Sequence, residues 1–278
     1  MKFPKTPFKI LGEESARFTR SRRPKKIADT VLVKQYNINE KWMKRGVILI
    51  DPTTIYIGPD VVLEKGTIIE PGCYLYGKTH IGPNNHIGPS SYLENVIVGE
   101  DNEIAFSHLV DTVVGNHNQI GPYFRSRGNT KIGNDTKVGN FVEFKNVEFG
   151  DGSKSAHLTY LGDADIGENV NVGCGVITAN YDGKEKHHTK IGNDAFVGSN
   201  STLIAPVEVG ANALVAAGST INEDVPANAL GIARERQTNK EGYRKPLATK
   251  EATPEEIQEN KMEEIPQKPQ ENSEDEAE

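Results

Sequence analysis

A branched apolar residue returns every sixth position along much of this chain. Ile57, Leu63, Ile69, Leu75, Ile81, Ile87 and Leu93 keep the beat without a miss, and Ile191, Val197, Leu203, Val209, Val215 and Ile221 resume it. Glycine follows many of these residues, as at Gly58, Gly82, Gly88, Gly192, Gly198 and Gly210. A period of six suits neither an amphipathic helix nor a half-buried strand. It suits a β-helix of hexapeptide repeats, where each hexad is a short strand plus a corner and stacked coils share one apolar column.

The beat slips by one residue between Leu93 and Val98, recovers through Ile104, Val114 and Ile120, and continues at Ile132, Val138 and Phe144. It slips again to Phe149 and runs through Ser155, Leu161, Ile166, Val172 and Thr178. Ile191 then comes thirteen positions after Thr178 where six would do, so the stretch Asn180–His188 must leave the coil as a loop. At three hexads per coil, residues 57–225 make roughly nine coils. Ahead of them, Ile27, Val31, Ile38 and Trp42 fall on one face of a helix that Gly46 stops. The expected organisation is a basic arm (1–26), a linker helix (27–46), an all-β hexapeptide β-helix (47–226), an extended C-terminal arm (227–246) and an acidic disordered tail (247–278).

Charge follows the same division. Residues 1–26 carry nine Lys/Arg against two Glu, and residues 247–278 carry eleven Asp/Glu against three Lys, within a net charge of −7. The basic arm lacks the interleaved aromatics of a nucleic-acid surface, so it reads as a solvated arm, and no nucleic-acid partner is expected. The tail, proline-bearing and nearly free of apolar residues, has the composition of disorder. No window approaches the roughly 18 apolar residues of a membrane span, and no signal-peptide core follows the N-terminus. Cys73 and Cys174 are the only cysteines. They fit a reducing cytoplasm and exclude a disulfide framework.

The least repetitive stretch lies mid-chain. It holds Arg125-Ser126-Arg127, Glu143-Phe144-Lys145, His157-Leu158-Thr159-Tyr160, Asn171 and Asn180-Tyr181-Asp182-Gly183. The gaps of 18 from Arg127 to Lys145 and 14 from His157 to Asn171 are close to one coil. Residues one coil apart stack, so these side chains are expected on a single strip. Such a strip offers two cations for a phosphate, a histidine that accepts a proton near neutral pH, and amides and a phenol for hydroxyls. The alternative is a set of surface polar residues on a polar scaffold.

Four segments carry a resemblance: Gly152–Gly167, Val138–Glu143, Ile177–Gly183 and Gln237–Tyr243. They resemble the acetyltransferase half of the bifunctional N-acetylglucosamine-1-phosphate uridylyltransferase/glucosamine-1-phosphate N-acetyltransferase family, and the likeness runs from about Trp42 to Pro246. The resemblance implies a left-handed parallel β-helix, an exception to the usual right-handed crossover. It also implies a homotrimer with active sites between subunits. The activity implied is acetyl transfer from acetyl-CoA to the amine of glucosamine 1-phosphate, with no metal. His157 is then the general base, and Glu143 sets its orientation. Arg127 and Lys145 hold the phosphate, and Tyr160, Asn171 and Asn180 contact the sugar. Asn180, Tyr181, Ser199, Ala217, Arg234 and Tyr243 correspond to acetyl-CoA positions, with Ser199 and the Asn180 amide serving the developing oxyanion.

Three positions depart from the family. Gly128-Asn129 stand where Pro-Gly usually follows the arginine, Cys174 where a small residue is usual, and Tyr243 where tryptophan is common. Residues 1–56 hold nothing resembling the family's nucleotidyltransferase domain, so uridylyl transfer is not expected from this chain; either a separate protein supplies it or the substrate has changed. Alternatives are a different acceptor, either a nucleotide-linked amino sugar or another amino-sugar phosphate, or a trimeric scaffold without activity. A three-histidine zinc site, known in some hexapeptide proteins, is not expected: His80 and His86 fall on adjacent faces of one coil, and His108, His117, His187 and His188 lie elsewhere.

Overall fold

In the computed structural model, which describes residues 24–244, the beat becomes the core. Every hexad residue from Ile57 to Leu93 and from Ile191 to Ile221 is buried. The strands are short, and all inter-coil pairs are parallel. One sheet of 11 strands runs from Ile48–Leu49 to Leu230–Gly231; a second, of 15, begins at Tyr56–Ile57. The second sheet forms two faces of the prism because four strands turn the corner without a break: Tyr92–Val98, His108–Val114, Glu143–Phe149 and Tyr160–Ile166. The hexapeptide repeats fit a left-handed β-helix of this kind.

The slips in the beat have a physical cause. Each uninterrupted corner is turned by one residue in the left-handed region: Asn95, Asp111, Asn146 and Asp163, with φ of 56°, 50°, 56° and 49°. Asn and Asp tolerate that region better than other non-glycine residues, because their short side chains bond locally. These residues also bond from coil to coil: Asn95 Nδ2 donates to Asp111 Oδ1 at 3.0 Å, and Asn146 Nδ2 to Asp163 Oδ1 at 2.8 Å. At Gly128-Asn129 the same corner takes two left-handed residues. A second, buried ladder stitches another corner, where Asn85, Asn102 and Asn118 each accept from the backbone of the next coil at 2.8–2.9 Å.

Helix α1 (Pro24–Lys44) starts ahead of the expected residue 27 and ends before Gly46, whose φ is +88°. Trp42, in its last turn, is buried, as its spacing predicted. The periodicity did not disclose Gln35 and Asn39, which are also buried. In the strand ladders each coil's N–H groups bond to carbonyls of the coil above, so carbonyls of the first coil lack donors from below. Gln35 Nε2 supplies one to Thr53 at 2.8 Å, and Asn39 Nδ2 to Pro52 at 2.8 Å and Ile55 at 3.0 Å. The helix thus covers a sheet end whose open backbone groups would otherwise invite another chain.

The other end differs from the expectation of an extended arm from 227. Leu230–Gly231 pairs with Leu214–Val215 as one more rung, because Asn228 turns the corner at φ 61° and Ala229 accepts the Leu214 N–H at 2.8 Å. The chain divides into two units, Met1–Glu235 and Arg236–Glu278. In the second, the described residues 236–244 have no regular structure and Tyr243 is exposed. The basic arm to residue 23 and the tail from residue 245 lie outside the described residues. Among the described residues, no helix is long and apolar enough to cross a membrane.

An aromatic trio fills the coils under the irregular segment. The Phe144 ring lies 5.2 Å from Phe124 and 5.0 Å from Phe149, with Phe144 fully buried. Phe144→Ala is expected to cost about 3–5 kcal/mol, the range for emptying a buried aromatic site. Denaturant titration would measure the loss as a lower midpoint at unchanged slope.

Candidate active site

Strand register builds the site. Arg127 pairs with Lys145 and Lys145 with Gly162; Arg125, Glu143 and Tyr160 form the neighbouring row. Three of the expected residues, Arg127, Glu143 and Lys145, therefore share one face with Tyr160. Glu143 Oε1 accepts from Arg127 Nε at 2.7 Å, so its carboxylate orients the guanidinium. Among the described residues Glu143 makes no hydrogen bond or ion pair to His157. Gly162 leaves room for Tyr160 to lie across it: a Cβ there would stand 2.4 Å from Tyr160 Oη and 2.9 Å from Asn180 Nδ2. Asn180, buried one coil further up, gives its amide hydrogen to Asp163 Oδ2.

Two site residues went unnoticed in the sequence. Asp163 accepts from Asn146 and Asn180 and lies 3.9 Å from Lys186 Nζ. Burial alone would raise its pKa, but those two amides and the nearby lysines hold it below the ordinary carboxylate value. Lys186 comes from the Asn180–His188 loop and meets Lys145 side chain to side chain. That contact, with partial burial and Arg127 nearby, holds Lys145 below the usual lysine range. Their signal was present in the sequence: Asp163 sits at a slip of the beat and Lys186 in the extra loop. Three cations gathered against like-charge repulsion, with Glu143 on the arginine and Asp163 beside the lysines, are suited to an anion such as a phosphate monoester.

His157 lies around the next corner, at the end of strand Lys154–His157 and in register with Asn140. It is exposed and borders an open pocket of about 400 Å³ with Asn140, Lys137, Gln119 and Gly121. Its imidazole has no hydrogen-bond or ion-pair partner among the described residues. Most other histidines are committed from coil to coil: His80 to Glu64 at 2.8 Å, His86 to Glu70 at 3.0 Å and His188 to Asp165 at 2.9 Å. Continuing the register places Cys174, Ser199 and Ala217 in successive coils above His157, a column kept by the bonds from Gly175 to Leu158, Asn200 to Cys174 and Gly218 to Ser199. Arg234 follows beside it, with Cδ 3.7 Å from where a Gly218 Cβ would stand.

The expected single strip is therefore two groups within one chain. Asn171 joins neither: it lies outside the sheet of the cation cluster, and in the sheet of His157 it stacks on Lys154, three residues before the histidine, and pairs with Phe196 in the next coil. The reason is arithmetic: the coil here is 17 residues, as Lys154 to Asn171 shows, so a gap of 14 from His157 falls three residues short. Tyr181 is exposed in the loop, its hydroxyl donating to Gly183 O at 2.8 Å.

Fold and site define a hexapeptide-repeat protein of the bacterial transferase type, and a family profile described as "Bacterial transferase hexapeptide (six repeats)" matches residues 188–223. The chain is 53% identical over 207 residues to bifunctional protein GlmU of Exiguobacterium sp. AT1b, covering 74% of this chain and 46% of that protein. To GlmU of Caldicellulosiruptor saccharolyticus it is 55% identical over 206 residues, covering 74% and 44%. The chain belongs to the family of that matched region, and it spans about half the length of the curated relatives it matches. Among solved structures, a UDP-N-acetylglucosamine acyltransferase of Francisella novicida aligns with a TM-score of 0.50 at 18% identity, over 67% of each chain, a likeness of fold.

Proposed function

We propose that this chain transfers the acetyl group of acetyl-CoA to the amine of glucosamine 1-phosphate, yielding N-acetylglucosamine 1-phosphate for UDP-N-acetylglucosamine and cell-envelope synthesis. The observation that carries the reading is the pairing of two features. One is a three-cation cluster built by Arg127, Lys145 and Lys186. The other is an uncommitted His157 at the foot of a column of small side chains.

Arg127, oriented by Glu143, and the two lysines bind the phosphate, while Tyr160 and Asn180 fix the sugar's hydroxyls. His157 accepts the proton of the amine as its nitrogen bonds to the thioester carbon; the carbon–sulfur bond breaks, and the proton returns to the leaving thiolate. Cys174, Ser199 and Ala217 offer a shallow groove rising three coils, roughly 14 Å at ~4.8 Å per rung. That length and the small side chains suit an extended thioester arm, with Arg234 for a phosphate beyond it. Tyr181 and Tyr243 are further candidates for contact with acetyl-CoA. Ser199 and the Asn180 amide are assigned to the oxyanion.

The site is completed by other copies of the chain in a homotrimer, where Asn171 of one subunit serves the pocket of another. Beside His157 a ridge of left-handed corner residues, Phe106, Tyr123, Phe141 and Leu158, stands 42–61% exposed. The Tyr123 and Phe141 rings stack at 5.1 Å. Bulky residues in that conformation cost of order 1 kcal/mol each, and burial of the ridge between subunits offsets the cost. Mass in solution is expected to be that of three chains.

A second reading changes the acceptor. Gly128 leaves nothing within 4 Å of a would-be Cβ beside Arg127, which leaves room for an acceptor with a larger phosphate substituent. Thiol release measured with glucosamine 1-phosphate, UDP-glucosamine and glucosamine 6-phosphate separates the two. The first reading expects the highest kcat/KM with glucosamine 1-phosphate; a preference for UDP-glucosamine would transfer the assignment to the second.

A further inference from the structure

The loop Asn180–His188 is built around one side chain that the proposed reaction does not use. Asp182 Oδ1 accepts the N–H groups of Lys184 at 2.7 Å and Glu185 at 2.8 Å, and Oδ2 faces His187 Nε2 at 2.8 Å. The loop closes on itself around that carboxylate. Tyr181 and Lys186 form an antiparallel bridge, and the His187 N–H donates to Asn180 O at 2.9 Å. Gly183 makes the turn at φ +98°. His188 then ties the end of the loop to Asp165 in the coil below.

We infer that Asp182 is a positioning residue for the acceptor's phosphate: by clamping this loop it holds Lys186 against Lys145 before the phosphate arrives. The inference rests on the reaction proposed above. Lys186 is half-exposed and its carboxylate partner Asp163 stands at a loose 3.9 Å. A lysine side chain free to move would leave a second ammonium for water. Here its backbone is fixed on both sides, by the bridge to Tyr181 and by the His187 contacts, so it stays near Lys145 despite repulsion. The three hydrogen bonds to Asp182 hold its carboxyl below the ordinary range, so the carboxylate is charged wherever the enzyme works. Preorganising two ammonium groups spares the ligand the cost of collecting them. His157 and the column above it stand on the coil, and Asn180, buried at the root of the loop, is held by its own bond to Asp163, so the clamp acts on acceptor binding rather than on the acetyl-transfer step.

The test uses the full chain, reading acceptor KM and kcat together with calorimetric binding of glucosamine 1-phosphate. Asp182→Ala is expected to weaken acceptor binding about tenfold with kcat changed less than about twofold, the pattern of lost ground-state binding. Asp182→Asn keeps an oxygen for both loop N–H groups and is expected to recover most of the affinity. In a Lys186→Ala background, Asp182→Ala is expected to add almost nothing, because its effect runs through that lysine. Thermal melting and solution mass check that each variant folds and assembles.

Full additivity of the two substitutions, or a fall in kcat at unchanged acceptor affinity, would overturn the clamp. Failure of the wild type to bind glucosamine 1-phosphate would overturn both clamp and reaction. Wild-type binding without acetyl transfer, lost in Asp182→Ala, would sink the reaction and leave the clamp standing.

Discussion

His157→Ala is expected to lower kcat by about 10²–10⁴-fold while leaving the acceptor KM close to its wild-type value. General-base transfer of one proton is typically worth that factor. The imidazole is exposed and without a partner among the described residues, so its removal opens no cavity and strands no buried group. The two ligand-binding groups are carried by other coils: Arg127 and Lys145 below, Ser199 and Ala217 above. The loss should therefore appear in turnover alone. Single-turnover acetyl transfer would measure it directly, and equal kcat in the variant would remove His157 from the chemistry.

The second large effect is on the phosphate side. Lys145→Ala is expected to raise the acceptor KM about 10–100-fold, since hydrogen bonds to charged groups are worth about 1.5–3 kcal/mol, with kcat much less affected. The pH dependence gives the same residue a signature. Contact with Lys186, partial burial and the nearby Arg127 favour the neutral amine, so Lys145 titrates below its ordinary 10.5. At neutral pH the ammonium is present and attracts the dianion. As pH rises through the lowered value the charge is lost, and acceptor affinity falls before an ordinary lysine would deprotonate. A bound phosphate favours the ammonium, so binding in that alkaline window takes up a proton. Acceptor KM against pH is expected to rise on the alkaline side in the wild type. In Lys145→Ala that early limb is expected to be lost.

Most of the prism was legible in the spacing of its apolar residues. A hexad core needs only branched side chains at one position in six, and Ile57 through Leu93 are all buried as the beat required. Where the beat slipped, the sequence located the corners, but not their chemistry: that Asn95, Asn146 and Asp163 would stack in the left-handed region depends on cross-coil hydrogen bonds. The polar residues of helix α1 were illegible for a related reason. Gln35 and Asn39 are buried because they meet open carbonyls of the first coil, a partner that helical periodicity does not register.

The site was readable in its residue types and less so in its geometry. Arg127 and Lys145, 18 residues apart, do stack. Asn171 does not stack on His157, because the local coil is 17 residues and the spacing was 14. Lys186 and Asp163 do not stand out in the hexad pattern, although Asp163 lies one 17-residue coil from both Asn146 and Asn180. One reaches the site from an inserted loop, and the other turns a corner. Ser199 and Ala217 are modest residues whose column becomes visible only when the register is followed upward from His157.

The central claim is acetyl transfer to an amino-sugar phosphate, and product analysis tests it most directly. The assembled protein would be incubated with acetyl-CoA and glucosamine 1-phosphate, the sugar product identified by mass spectrometry and the released thiol counted. The expected result is N-acetylglucosamine 1-phosphate formed in equal amount to free CoA. Thiol release without an acetylated sugar, or no reaction from protein that assembles as three chains, would contradict it.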